Sequence, residues 1–531
     1  MSEKIDFYKE EKLLLNVGNL IDLSCKKRDK EGLLNALKFL QEFYTKYGST
    51  PLSEYFRSNA YGALANLENQ DISLWKVRNT NKERQLLSLS RAVFHPDFKQ
   101  LPLHRKCNIF TNRGNTLSQL GRYREGFQNW EEALKVNPRF AMALGAKGSM
   151  IVGRLLQLES FSCVDIQYLA SVIYPTVLDI LEQTFSSEGK KTLEPHAVPY
   201  FEWHFEKLKS CFLSVPDSVR DFSPQELSRT KIELYYREWS LKKGLFLNQY
   251  GILGMDGGDA LDDLRLPAVM TSSLEELPLG IRNINGAPPP IFGLFNQIKQ
   301  EYITARWFLY EAQKGHKPHF SDRYVEIANT LSFPCFSLYT EMLKTSFQKA
   351  YSLLDKIGYF INEYWGVFRS RKNTSFRNVW YKERGQAVPE NVLPVYSESK
   401  NPLLLSLFWL SKEIRNPDFS TATSSQAEKI EDIRNALEHK HFQLHEGWAF
   451  DMIKESLPSN EFCFSISSSE MQEKTRYLLR LTQSAIYYLV EAVAWEEERK
   501  KESKADGMLV PTFSIESLED KYKVNPDYGK E

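Results

Sequence analysis

Glycines at 114 and 126, set among large side chains at 110, 117, 123 and 130, constrain this chain more than any other local pattern. Two antiparallel helices approach closely only where the facing residues are small. Residues 107–140 meet that condition. Gly114 and Gly126 permit the approach, Leu117, Tyr123 and Trp130 fill the space left between the helices, and Pro138 ends the second helix because it lacks an N–H. Leu144 and Gly148 follow Phe110 and Gly114 by 34 residues, so a second, more divergent unit begins near Phe140.

The hairpin, with Phe110, Gly121, Ala133 and Leu134 also in register, resembles a tetratricopeptide repeat. Upstream, apolar-periodic runs at 13–25, 33–47, 53–66 and 83–94 predict further helix pairs. The expected architecture is all-α: a tetratricopeptide-like solenoid over 1–160, a helical connector over 161–230, a helical bundle over 231–505 and a polar tail over 506–531. Stacked repeats leave a groove suited to a protein partner or activator, although the same hairpins can simply brace the rest of the chain. Bundle helices are predicted near 292–314, 335–365, 400–414, 426–448 and 468–503. The last opens on the capping box Ser467 to Glu470, carries Leu478, Leu481, Ala485, Tyr488, Ala492 and Trp495 on one stripe, and is expected to pack against the helix before it. Beyond Trp495 the run EEERKKESK has little to bury, so a solvated helix and a loose tail are expected.

With 42% hydrophobic and 13% aromatic residues, 531 residues can bury large cores. No apolar run approaches the roughly 18 residues needed to cross a bilayer. The charged start MSEKIDFYKEEK has no signal core, which makes the cytoplasm the expected compartment. Six scattered cysteines form no C-x-x-C pair, arguing against a disulfide framework or thiolate zinc site. Lys+Arg and Asp+Glu each total 68, so any nucleic-acid contact must come from a local patch.

The chemistry concentrates at Arg434-Asn435-Ala436-Leu437-Glu438-His439. Arginine forks two donors toward a phosphate, and histidine exchanges protons near neutral pH. Ser425 to Glu428 forms a capping box ahead of a helix whose Ala427, Ile430, Ile433 and Leu437 make the buried stripe. At about 100° per residue, Asn435 and His439 share the exposed side, whereas Arg434 and His439 lie about 140° apart. A bent arginine, a local unwinding or a facing second copy are the ways to join them. Arg434 and Glu438, four apart, can also form a plain surface ion pair.

This Arg-x4-His string with an amide after the arginine resembles the signature of the HEPN (higher eukaryote and prokaryote nucleotide-binding) superfamily, as do YYREWSLKKGLFLN at 235–248 and NQIKQEYITARWFLYEA at 296–312. The resemblance implies a HEPN-type bundle that dimerises and cleaves RNA without metal or other cofactor, in a toxin or antiviral-defence setting. It implies catalysis by Arg434, Asn435 and His439. Glu438, and Glu301 and Arg306 on an earlier bundle helix, are supporting candidates, although Glu301 and Arg306 can simply pair with each other. A non-catalytic adaptor that dimerises and binds proteins or nucleotides is the alternative. Some HEPN toxins carry a modifiable tyrosine two residues after the motif histidine; His441 stands there here, which puts that control in doubt.

Three further patterns give expectations. Arg369, Arg371, Lys372, Arg377, Lys382 and Arg384, interleaved with Phe376, Trp380 and Tyr381, form a candidate single-strand RNA surface, or else a solvated connection anchored by its aromatics. His441 and His445 could share a helix face and ligate zinc with Glu438, but without an H-E-x-x-H string a surface role is favoured, so no metal is assigned. Asp256, Asp259, Asp262 and Asp263 lack EF-hand spacing and are expected in a solvated loop.

Overall fold

The computed structural model describes residues 7–68, 74–75, 80–158, 166–216, 230–254, 260–270, 282, 288–315, 317–367, 370–381, 392–414, 429–456, 463–502, 512–513 and 517–524. The architecture is all-α, with two two-stranded sheets among the described residues.

The N-terminal part comprises α1 (Phe7–Lys27), α2 (Lys30–Tyr47), α3 (Pro51–Leu67), α4 (Thr80–Val93), α5 (Leu103–Gln119), α6 (Tyr123–Val136) and α7 (Ala141–Leu158). Capping by Asp29 and the Thr50–Ser53 capping box start α2 and α3, and Gly48 ends α2 with φ 85°. At the α5/α6 hairpin the backbones do close up: a Cβ on Gly114 would stand 2.5 Å from Trp130 Nε1, and one on Gly126 would stand 3.1 Å from the Gly114 carbonyl oxygen. Behind a π-helical turn at Leu169–Ile173, α8 (Tyr174–Phe185) and then α9 (Val198–Ser214) both pack on α7, extending the helical stack through the stretch expected to be a connector.

The C-terminal bundle is α10 (Lys231–Lys243), α11 (Pro290–Ala312), α12 (Leu338–Tyr364), α13 (Pro402–Ser411), α14 (Ile430–His439), α15 (Gly447–Ser456) and α16 (Ser468–Glu502). Helices α11 and α12 form a long antiparallel pair, tied where Ser346 Oγ donates to the Ala305 carbonyl at 2.7 Å. Helix α16 runs through the centre; Thr482 bonds it to α12 and Asn401 bonds the start of α13 to it. Its expected single apolar stripe understates its burial. Every residue from Leu481 to Ala494 is buried, because α12 and α13 cover one side and the N-terminal hairpin the other.

The N-terminal helices meet the C-terminal bundle through deeply buried ion pairs. Arg122 pairs with Glu413, Arg154 with Glu491, and Lys412 with Glu83 at 2.8 Å. Tyr123 also donates to Glu491, and Tyr477 to Glu413. Interior charges persist only when paired in this way.

Three expectations change. The aspartate loop is not simply solvated: Asp262 pairs with Arg306 at 2.7 Å and accepts from Leu247 N, while Asp263 accepts from Gln249 N. Asp256 and Asp259 lie outside the described residues. The chain past Trp495 does have something to bury, since Glu496 and Glu497 are buried and Glu497 accepts the Met270 amide at 2.7 Å. Part of the expected tail also returns: Thr512–Phe513 (β4) pairs antiparallel with Val269–Met270 (β1). Finally, the helix expected to run to 448 stops at His439. Residues His441–His445 (β2) instead pair in parallel with Cys463–Ser467 (β3), which captures the backbone the helix would have used.

Candidate active site

Helix α14 starts at Lys429, whose φ of 69° turns the chain into the helix; the expected Ser425 cap lies outside the described residues. Ile430, Ile433 and Ala436 are its buried face and rest on α12, rather than chiefly on α16 as expected; α16 contributes the Lys429–Glu470 pair at 3.1 Å. Burial of those three positions rotates Arg434, Asn435, Glu438 and His439 toward the outside.

One carboxylate oxygen links the motif. Glu438 Oε2 lies 2.8 Å from Arg434 Nη2 and 3.6 Å from His439 Nε2. The arginine and histidine, far apart by helical angle, therefore meet a common anionic atom within one chain. Asn435 turns its amide oxygen to Arg434 Nη1 at 3.0 Å, leaving its NH2 group without a partner among the described residues. Side-chain exposure is 33% for Arg434, 34% for Glu438 and 68% for His439, so the imidazole is open to a ligand while the guanidinium is half covered.

The cover comes from residues that sequence reading did not assign to the site. The Arg434 guanidinium lies over the Tyr351 ring of α12, 5.6 Å from its centroid. Arg377 donates to the Tyr351 hydroxyl and pairs with Glu431 at 2.7 Å. Asp355, one turn along α12, accepts the Phe376 amide at 3.1 Å. Burial raises the Asp355 carboxyl above the usual aspartate range, and that bond together with Arg377 and Arg434 opposes the rise. Tyr351 is likewise raised by burial. The only sequence signal for this pair was two polar-tipped residues four apart on an otherwise apolar helix face.

The other candidates fall elsewhere. Arg306 is 1% exposed and fully engaged by Asp262, the Tyr236 hydroxyl and the Leu245 carbonyl; it fixes the 245–264 segment and does not support the motif. Glu301 pairs with Lys356 instead of Arg306. Of the basic stretch, Arg377 joins the motif cluster and Lys372 is exposed; Arg369, Lys382 and Arg384 lie outside the described residues, as does the side chain of Arg371. The stacking role of the aromatics is overturned: Phe376, Trp380 and Tyr381 are 1%, 0% and 8% exposed, and the Trp380 indole N–H donates to the Phe376 carbonyl at 2.8 Å. No ring face remains for a base.

The zinc arrangement fails too, because His441 and His445 occupy a strand, where they stand about 13 Å apart. His445 is buried against the Phe333 carbonyl; burial holds it below the usual histidine range, and the bond to that carbonyl opposes the fall. Among the described residues no group of three or more metal-ligating side chains converges.

With the geometry in place, comparison with protein families identifies this region. Residues 283–496 match the family described as LA2681-like HEPN. The matched stretch runs from α11 through most of α16, including the motif helix and every residue of the cluster around it. Comparison with curated proteins and with solved structures found no match. Among the described residues no helix is long and apolar enough to cross a membrane.

Proposed function

We propose that the HEPN domain is a metal-independent endoribonuclease with Arg434 and His439 as its catalytic residues. The observation that carries this reading is the single Glu438 oxygen shared by guanidinium and imidazole, since a phosphoryl oxygen of RNA seated there would meet the same two groups. His439 takes the proton from a ribose 2′-hydroxyl, whose oxygen attacks the adjacent phosphorus. The bond to the 5′-oxygen breaks as that oxygen accepts a proton, leaving a 2′,3′-cyclic phosphate and a 5′-hydroxyl. Arg434 stabilises charge on the phosphoryl oxygens, and the unpartnered Asn435 NH2 provides another donor. A two-fold dimer facing two motif helices supplies a second imidazole for the leaving oxygen. The same reading extends to a toxin or antiviral-defence setting, cytoplasmic action and control through the N-terminal, tetratricopeptide-like helices.

One observation favours the adaptor reading: the Arg434 fork is already engaged by Glu438 and Asn435. Incubating the full chain with mixed RNAs in chelator and mapping the ends separates the two. The nuclease reading expects cyclic-phosphate ends that disappear in Arg434→Ala and His439→Ala, with fold and mass unchanged. Equal cleavage by those variants, or toxicity on expression that both variants retain, refutes it.

A further inference from the structure

Where the α5/α6 hairpin meets α16, the packing leaves a cavity of about 50 Å³. Arg113 of α5, Arg122 and Glu125 at the head of α6, Glu413 past the end of α13 and Arg480 of α16 line it. Both carboxylates are already engaged. Glu413 pairs with Arg122 and accepts from Tyr477, while Glu125 Oε2 lies 3.2 Å from Arg122 Nε and accepts from the Tyr488 hydroxyl at 2.8 Å. Three guanidinium groups thus face two carboxylates, and one arginine, Arg122, pairs with both of them.

Arg113 and Arg480 are left with neutral partners. Arg113 Nη1 donates to Asn129 Oδ1 at 2.8 Å, its Nε is buried without a partner, and among the described residues no carboxylate pairs with it. Burial holds this guanidinium below the usual arginine range, and nearby Glu413 opposes the fall without cancelling it. Arg480 donates through Nε and Nη2 to the Lys243 carbonyl, at 3.3 and 2.9 Å. More cations gather there: burial, and then the like charges of Arg476, Lys242 and Arg480, push the Lys243 ammonium down. A buried cation is tolerated at low cost only beside an anion, and at this seam the anions are used up.

Size and donors select the ligand. A cavity of about 50 Å³ holds roughly three to five waters, which is the room a single tetrahedral oxyanion needs for its oxygens. Guanidinium forks match phosphate oxygens in pairs and stay charged at any working pH. We propose that this cavity binds the phosphoryl group of a small effector, held by Arg113 and Arg480 between the N-terminal hairpin and the bundle. The group fills space that already exists, so the Arg122–Glu413 pair stays made, and it supplies the counter-charge that the other two arginines lack. Because it bridges α5 and α16, its binding stabilises the joint between the two halves of the chain. Neither Arg434 nor His439 lines the cavity, and the inference does not rest on the nuclease reading.

Isothermal titration calorimetry of the full chain with inorganic phosphate, against sodium chloride at matched ionic strength, tests it without RNA. Phosphate is expected to bind with a Kd of about 1 mM or tighter and to raise the melting temperature, whereas chloride does neither. Arg113→Gln is expected to weaken binding roughly tenfold or more with an unchanged circular dichroism spectrum, and Arg480→Gln, with the same expectation, serves if Arg113→Gln misfolds. Ribose 5-phosphate separates the two sources of the group: binding at least as tight as phosphate means a phosphoryl group carried on a larger molecule, and weaker binding or exclusion means the free ion. No heat and no thermal shift with either probe overturns the proposal and leaves water as the occupant. Binding undiminished in both arginine variants overturns it too, as does a loss in Arg434→Ala that Arg113→Gln does not share, which would place the ion at the motif. Phosphate binding at this cavity without RNA cleavage would leave the proposal standing and count against the nuclease alone.

Discussion

Glu438→Gln is the most informative single change, because it keeps the size of the side chain and removes the charge that now lies between Arg434 and His439. If Glu438 holds the phosphate's place, RNA must displace it, and the cost of displacement is the strength of its present contacts. Those contacts are partly exposed, with the glutamate 34% and the arginine 33% accessible, so the i,i+4 pair at 2.8 Å is worth only about 0.3–0.5 kcal/mol. A carboxylate that remains about 5 Å from a bound phosphate adds a repulsion of about 0.8 kcal/mol in water. Together these amount to about 1 kcal/mol, or roughly a fivefold gain in affinity for the glutamine variant. The assay is fluorescence anisotropy with a short oligonucleotide carrying a 2′-deoxy sugar at each position, which binds but cannot be cut by its own 2′-oxygen. The gain should shrink as salt is raised, since surface charges are screened. Weaker binding by Glu438→Gln, or affinity equal to wild type at low salt, would show that the carboxylate organises the site instead of occupying it.

Three more outcomes follow from the packing. Trp380→Ala should cost about 3–5 kcal/mol in urea unfolding, as loss of a buried indole does, with no change in RNA affinity per folded molecule; an intact fold with lost binding would restore the stacking role. Arg122→Met leaves Glu413 buried beside Tyr477 without its main cation and should destabilise by about 3–5 kcal/mol, whereas Arg122→Met with Glu413→Leu should recover most of it; a single-variant loss below about 1 kcal/mol would contradict the interlock. Burial lowers the Lys82 ammonium to about 8 from an ordinary value of 10.5, so over that window the unfolded chain holds a proton the folded chain has released, and stability rises with pH. Lys82→Met should abolish that rise and add roughly 2–3 kcal/mol at pH 7, measured by denaturant titration at pH 7 and 10; an undiminished rise refutes the assignment.

Helices set by local periodicity were legible: the runs predicted at 13–25, 33–47 and 468–503 correspond to Phe7–Lys27, Lys30–Tyr47 and Ser468–Glu502. The close glycine pair at 114 and 126 was legible for the same reason, as a relation between neighbours. What the chain hides is set by distant partners. Nothing between His439 and Gly447 breaks a helix, yet β3, 22 positions along the register, draws His441 out of it. The aromatics at 376–381 have the composition of a stacking surface, but Tyr396 and Phe408 close over Trp380 with ring centroids 5.1 and 5.9 Å away. Arg306 and Asp262 find each other across 44 positions, so neither could be assigned from its own surroundings. At the candidate site, sequence proposed Arg434, Asn435 and His439; Tyr351 and Asp355, which pack beside them, came only with the placement of α12 against α14.

The interlock between the two halves bears on how the N-terminal helices could govern the motif. Arg122, Tyr123 and Arg124 head α6, the second helix of the glycine-bearing hairpin, and all three turn into the bundle: to Glu413, to Glu491, and to Gln483 with the Gly251 carbonyl. At this face the hairpin is therefore a brace, and a partner that bound here would first have to strip several buried ion pairs from their mates, at several kcal/mol each. Control of the motif through the N-terminal part is better placed on surfaces the bundle leaves open, with the effect carried inward by the rigid hairpin. Glu413 is the natural receiving point. It lies just past the end of α13, is held by Arg122 and Tyr477, and stands on the chain path that next reappears at Lys429, the first turn into the helix bearing Arg434 and His439. A shift of α6 relative to α16 moves that anchor, while α12, which seats the motif from its other side, is fixed independently by α11 and by the Thr482 bond. Coupling of this kind needs no contact between the N-terminal helices and RNA, only two arrangements of one buried charge pair.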